Sequence, residues 1–432
     1  VGMIRKLVPK VMEPVIWDPE LYRDWLSQFD TEKRNRMERA YQAAGLDTLA
    51  GYSNKQIFTK IESLVKDFDE VAPRIIFKGT DLYNMISGPV FKVLIDRFAS
   101  LGSVLPDLKY KISYRQHTEE IVDFLEQRSH RSYIEADFSA NDKSQVKDVI
   151  ELEAIFMRRL GAPRWFIQLH KSSNKFSAYN TKYGISATVE NQLPSGATDG
   201  TFRNTFWNLC IFNCWMRTYK VSDATAVFLG DDMLAGLGKR VRRAARHYQQ
   251  VAVACRMVAK VTTHPCLHNM HFLSKHFIPV CRGERAHVML PYLGKVLAKF
   301  NTRPNANQSV SDDEYMAGKA LSHTYEFRFC HVLRDKFLAR YQYHVHRSGG
   351  KYSVEGVTWH VRVHSGYGRE LEDMLSGSLN WPDTVTKDDL TMFFLGHCDL
   401  TYTDLEPLID TVVLKSEYTV LTDESGKHLV DY

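Results

Sequence analysis

The stretch Val227–Gly236, "VFLGDDMLAG", sets two adjacent aspartates behind a glycine in the middle of an apolar run. Thr225 to Leu229 and Met233 to Leu237 are short arms of strand length, and Gly230-Asp231-Asp232 between them carries turn chemistry, so the segment reads as a hairpin. Two carboxylates at the tip of an otherwise buried hairpin repel one another and lose water, which is unfavourable unless cations sit between them. The chain must therefore fold so that this tip meets an edge able to hold positive charge.

A third carboxylate is available. "RSYIEADFSA", Arg131 to Ala140, reads as a strand entering the interior with Asp137 near its end, and "KSQVKDVIELEAIFMRRLGA" comes next as an amphipathic helix closed by Gly161. Asp199 to Thr218 reads as a second long helix, entered through a "PSG" loop at Pro194 to Gly196. A strand-end aspartate plus a hairpin pair can hold two divalent cations about 3.5–4 Å apart. Magnesium suits such hard oxygen ligands. Adjacent aspartates in turns are common, so the pair gains weight only from its companions: Asp142 five positions after Asp137, and Asn204 eight positions after Gly196.

The remaining composition narrows the class. A chain of 432 residues with 44% hydrophobic, 25% charged and 12% aromatic residues has the make-up of an ordered protein with one large domain or two to three subdomains. Seven scattered cysteines show no disulfide framework and fit a reducing compartment. No signal peptide and no run of 18 apolar residues stands out, so a membrane tether is expected outside this chain or on a partner. The net charge of +5 is modest, yet no acid occurs from Met233 to Gly283 while Lys239, Arg240, Arg242, Arg243, Arg246, Arg256, Lys260, Lys275 and Arg282 fall inside. A charge run is usually a solvated face; directly after paired aspartates it leans toward a polyanion.

Further along, Asp18 and Pro19 supply a helix cap and first-turn proline, and Thr31 to Ala44 forms a helix ended by Gly45. Helices are expected at Ser311 to Tyr343 and Thr386 to Leu395, with the β-rich "KYSVEGVTWHVRV" between them. "HPCLHNMH" brings His264, Cys266, His268 and His271 within eight residues, with Cys281 nearby. Closed zinc sites usually draw paired ligands from two segments, so ordinary packing is the favoured reading and a structural Zn2+ the alternative.

Strand-end Asp137, then Ser195-Gly196 opening a helix that carries Asn204, then Gly230-Asp231-Asp232 in a hairpin: this order resembles the palm of viral RNA-dependent RNA polymerases. "FTKIESLVKDFDEVAPRIIFKG" resembles their basic fingers motif, "CRMVAKV" the motif that carries a leaving-group lysine, and "HFLSKHFIPV" the primer-gripping hairpin. The resemblance runs from Lys60 to about Val280 and looks most like positive-strand RNA viruses of the nodavirus and tombusvirus kind.

The resemblance implies roles. Asp137 and Asp231 would be principal ligands of two Mg2+ (or Mn2+) ions and Asp232 an auxiliary one, with Lys260 protonating the pyrophosphate. Asp142, Asn204 and Ser195 would read the ribose hydroxyls, and Lys60 and Arg74 would contact the triphosphate, Lys66 and Lys78 being weaker candidates. Gly196, Ser274 and Lys275 would contact primer or RNA. One departure is Gly200, where many relatives carry threonine; Thr198 and Thr201 flank it, and the role of Thr201 is open.

The implied fold class is α+β: a right-hand polymerase with an N-terminal extension and fingers over 1–130, a ferredoxin-like antiparallel palm over 131–283 with a fingers insertion at about 160–192, and a mainly helical thumb and C-terminal region over 284–432. Partners would be template and product RNA, nucleoside triphosphates and other viral replication proteins. The work would be done in the host cytoplasm at membrane-associated replication complexes, and the basic stretch after the hairpin would face template, product or nucleotide channel. Two alternatives stand beside this: a reverse transcriptase-like palm, which Asp142 and Asn204 argue against, and a catalytically silent RNA-binding palm, which has no use for three clustered acids.

Overall fold

The computed structural model describes the chain outside residues 30, 44–48, 50, 61–73, 103–104, 140, 304–310, 351–367 and 416–432. Gly45, Lys66, Ala140 and the β-rich segment starting at Lys351 lie outside the described residues. The protein is mixed α/β and divides into two compact units.

The first unit holds Val1–Lys60, 74–116 and Gln127–Leu273. It opens with helices α1 (Gly2–Leu7), α2 (Pro19–Ser27) and α3 (Thr31–Ala43). Asp18 caps α2 by accepting from the Leu21 N–H at 2.8 Å, with Pro19 in the first turn, where its missing donor costs nothing. Strands β1 (Lys55–Thr59) and β2 (Ile75–Gly79) pair antiparallel, and helix α4 (Asp81–Ala99) comes after them.

A five-stranded sheet forms the centre: β3 (Leu108–Ile112), β4 (Ser132–Ser139), β7 (Ala224–Leu229), β8 (Asp232–Leu237) and β9 (Val258–His264), in the order β3-β7-β8-β4-β9. In this sheet only β3 and β7 run parallel. Strand β4 alternates as a half-buried strand should: Ile134, Ala136 and Phe138 point inward, Glu135 and Asp137 outward. Between β4 and β7 lie α6 (Asn141–Ser144), α7 (Lys147–Arg159), α8 (Arg164–Ser172), the hairpin β5 (Lys175–Asn180) and β6 (Ile185–Glu190), and α9 (Gly200–Thr218). Helix α10 (Ala244–Ala254) connects β8 to β9, and the short strand β10 (His271–Phe272) closes the unit. Phe156 of α7 stacks on Phe206 of α9 at 4.5 Å, and Phe202, Phe212 and Trp215 of α9 extend the same core. Burying each such ring contributes roughly 1.5–3 kcal/mol.

Strands β1 and β5 pair in parallel, joining the two hairpins into a second sheet of order β2-β1-β5-β6.

The second unit holds α5 (Thr118–Glu126) and the chain from Ser274. Strands β11 (Lys275–Pro279) and β12 (His287–Pro291) form an antiparallel pair, and helices α11 (Leu293–Phe300), α12 (Asp312–Glu326), α13 (His331–Arg347), α14 (Gly368–Ser376), α15 (Lys387–Cys398) and α16 (Tyr402–Val413) come after it. Ser311 caps α12, and Thr386 and Thr401 form capping boxes with Asp389 and Asp404 at the starts of α15 and α16. The helical stretch expected over Ser311 to Tyr343 is made of two helices, α12 and α13. The chain breaks at Phe327–Cys330, burying Phe327, Phe329 and Cys330 at the corner, so that α12 and α13 pack on each other.

Candidate active site

The hairpin turn is Gly230-Asp231, with Leu229 opposite Asp232, so Asp232 begins β8 instead of belonging to the loop. Gly230 has φ +62° and Asp231 a negative φ, the pattern of a type II′ turn with glycine at its first central position. Strand β4 pairs with β8 as far as Ala136↔Met233, so Asp137 and Asp232 are the next residues on the two strands, and the charge of Asp137 acts on Asp232. On its other side Asp137 pairs with Lys260 of β9. The row Asp232, Asp137, Lys260 thus crosses three adjoining strands at spacings of about 5 Å, with Asp231 at the turn beside it.

Burial, then the charge of Asp231, pushes the Asp137 carboxyl up, and Lys260 partly offsets this. Burial and the neighbouring acids Asp231, Asp137 and Glu135 push Asp232 up to about 6. A carboxyl with a raised folded-state pKa favours the fold below its unfolded value and loses that contribution as pH rises through the folded value. The metal-free protein is therefore expected to lose stability between about pH 4 and about pH 6. Magnesium should raise Tm more at about pH 7.5 than at about pH 5, and Asp232→Asn should shrink the difference. An equal magnesium shift at both pH values in the wild type would count against this linkage.

Helix α9 fastens the turn from behind. The Thr205 hydroxyl accepts from the Gly230 N–H at 2.8 Å, and the Asn208 amide donates to the carbonyls of Asp231 (3.0 Å) and Gly230 (3.4 Å). One turn earlier on α9, Asn204 donates to Asp142 at 3.4 Å and accepts from Gln145. Burial raises the Asp142 pKa, the Asn204 hydrogen bond working the other way. The structure thus brings Asp142 and Asn204 together. Sequence reasoning misses Thr205, Asn208 and Gln145; the readable signal is the set of polar residues at 204, 205 and 208 among the aromatic and aliphatic residues of the same helix. At Gly200 a Cβ would meet nothing within 4 Å, and Thr201 is exposed, its carbonyl accepting from Thr205 at 2.6 Å.

Lys60 and Arg74 lie just beyond the Thr59↔Ile75 pair, at the end of β1–β2 where the chain passes from one strand to the other, and the Lys60 N–H donates to the Arg74 carbonyl at 2.9 Å; both side chains are exposed. Ser195 donates to the Ile75 carbonyl at 2.9 Å, and a Cβ on Gly196 would sit 2.8 Å from the Phe77 carbonyl oxygen, so the loop that opens α9 lies directly against β2. Leu273 and Ser274 both have positive φ and form the turn after β10; Lys275 lies in β11 and is ion-paired with Glu326.

In the His/Cys stretch, His264 accepts from the Cys266 N–H at 3.0 Å, and Glu135 accepts from the His271 N–H at 2.5 Å. Among the described residues, the one group with three ligand atoms within 4.8 Å of each other is Glu153, His170 and Asp199; the aspartates of the hairpin are spread more widely. That group is already filled by a cation. Arg203 donates to Glu153 at 2.9 Å, pairs with Asp199 at 2.7 Å and donates to Asn174 at 3.0 Å, while His170 lies 3.2 Å from Glu153. All of these side chains are buried, as is Lys55, whose ammonium sits 3.2 Å from the centre of the Tyr83 ring. Burial brings Lys55 down to about 8; for Asp199 burial acts upward, but Arg203, His170 and Lys55 outweigh it and hold the carboxyl low.

Acids gathered at a strand–turn edge, with the polar pair Asp142 of α6 and Asn204 of α9 joined beside it, are features of nucleotidyltransferases. The family model described as RNA dependent RNA polymerase matches residues 19–366. The chain belongs to that family, the RNA-directed RNA polymerases of positive-strand RNA viruses, whose substrates are RNA and nucleoside triphosphates and which typically use divalent metals. No curated protein matches the chain.

Proposed function

We propose that this polymerase copies a viral RNA genome by two-metal nucleotidyl transfer at the edge formed by Asp137, Asp231 and Asp232. The observation that carries the reading is the row Asp232, Asp137, Lys260 with Asp231 beside it: an acid-rich donor set of hard oxygens with one adjacent lysine, in which burial and neighbouring acids raise Asp137 and Asp232. Divalent cations, when bound, lower the pKa of an attacking 3′-hydroxyl and stabilise the departing pyrophosphate.

The chain's own residues do the rest. Asp137 and Asp231 supply the principal ligand oxygens and Asp232 an auxiliary one. Lys260, next to Asp137, gives a proton to the pyrophosphate. Asp142 and Asn204 bind the ribose hydroxyls, a contact that a deoxynucleotide leaves unsatisfied. Lys60 and Arg74 hold the triphosphate, Ser195 joins Asp142 and Asn204 at the ribose, and Gly196 contacts the RNA. Ser274 and Lys275 contact the primer strand.

In this reading 1–130 is N-terminal extension and fingers, 131–283 palm with a fingers insertion at about 160–192, and 284–432 thumb and C-terminal region. No described helix is long and apolar enough to cross a membrane. Work at membrane-associated complexes in the host cytoplasm would go through other parts or partners.

The test is incorporation on a primed homopolymer RNA with magnesium or manganese, with UTP and dTTP in competition. UTP should be used at least about 10²-fold more efficiently, and Asp142→Ala should cut that preference sharply. Equal use of both nucleotides would favour the reverse transcriptase-like reading, and no incorporation with either metal would overturn the catalytic one.

A further inference from the structure

The basic stretch after the hairpin does not stay at the catalytic edge. Strand β8 starts at Asp232 and leads away from it to Leu237, so Lys239 onward begins about 20 Å from the carboxylates at 3.3 Å per residue. Helix α9 runs the same way. Asn208 grips the hairpin turn, and Thr218 ends the helix ten residues later, about 15 Å on. The segments that leave β8 and α9 meet at this far end: Tyr219 stacks on His247 of α10 with ring centroids 4.1 Å apart and donates to Gln250 at 2.8 Å, and Lys239 reaches Ser222 at 3.4 Å. Of the basic residues singled out in the sequence, Lys260 alone is placed beside Asp137.

The far end gathers Arg217 of α9 and Lys220 just past its end with Arg240, Arg242 and Arg243 from the connection into α10 and Arg246 in the first turn of α10. All six are exposed, and none forms an ion pair with a described residue. The nearby acids are Asp107 and Asp223, and Asp223 is already paired with Arg128 at 2.6 Å. Like charges held this close repel, and no acid in the first turn of α10 relieves them.

We propose that this end of the first unit is a second RNA-binding surface, separate from the catalytic edge, that holds the phosphate backbone without reading sequence. The partner is a polyanion because the surface is cationic and uncompensated. RNA is favoured over an anionic bilayer because no described large apolar side chain from Arg217 to Arg246 is exposed; the next one along α10 is the single valine Val253, two turns on, which is too little apolar surface to enter a membrane. Tyr219 is committed to His247, leaving backbone contacts and not base stacking as the mode of binding.

The experiment compares wild type with a variant carrying Arg240→Gln, Arg242→Gln, Arg243→Gln and Arg246→Gln together. Binding is measured against salt for a short primed RNA that fills only the catalytic site and for a long single-stranded RNA. The variant should lose at least about tenfold in affinity for the long RNA near 100 mM salt, and its log–log salt slope should fall by about 3. Single-nucleotide addition on saturating short template should be unchanged. Arg217→Gln with Lys220→Gln, on a different element, should lower the slope by about 1.4, which guards against a folding defect in the first variant. Unchanged affinity for long RNA overturns the proposal, as does an equal loss on short and long RNA. Loss of binding to anionic phosphatidylserine vesicles with RNA affinity intact would also overturn it, in favour of a lipid surface.

Discussion

Asp231→Asn is expected to abolish nucleotide addition, by roughly 10³-fold or more, while leaving RNA affinity within about twofold. The amide keeps the size and the turn, since Gly230 supplies the positive φ and Thr205 and Asn208 grip backbone atoms, not the Asp231 side chain. The variant loses a negative ligand at the place where the charge of the transferring phosphoryl group must be balanced. Single-turnover addition to a labelled primer measures the first effect and filter binding the second. Near wild-type synthesis by the variant would remove Asp231 from the catalytic set and with it the two-metal reading.

The largest stability effect should come from a residue that touches none of this. Arg203→Met leaves Glu153 and Asp199 buried without their cation, and breaking a buried pair from one side costs about 3–5 kcal/mol. The urea midpoint should fall accordingly. Adding Glu153→Gln and Asp199→Asn to Arg203→Met should recover part of the loss, because the penalty lies in the orphaned charges and not in the missing contact. A loss under about 1 kcal/mol for Arg203→Met alone would mean that Lys55 and His170 can take over the pairing.

Local features are legible in this sequence and distant ones are not. The hairpin can be read because glycine before aspartate between two apolar arms is turn chemistry, and β4 because its side chains alternate. Asp232 at the first position of β8 shows the limit, since a turn of two residues and one of three look alike in sequence. The joining of β1 to β5 is not readable: their pairing spans more than a hundred residues, and nothing in Lys55–Thr59 names its partner. Arg203 reads as an exposed charge until Glu153 and Asp199 are found around it. The basic stretch reads as part of the catalytic side because it comes directly after the aspartates along the chain. A strand delivers the next segment to its opposite end, however, and sequence proximity then reports distance poorly.

Helix α9 has a consequence for how errors in copying are punished. Its first turns hold Asn204, the partner of Asp142 in the pair proposed to test the sugar, and a single turn later the same rigid rod holds the loop bearing the carboxylates. A helix shifts as a body, so an ill-seated nucleotide that displaces Asn204 also displaces the support of Asp231. On the proposed roles, sensing and chemistry have no independent adjustment, and variants that loosen sugar discrimination through this helix should also be slow.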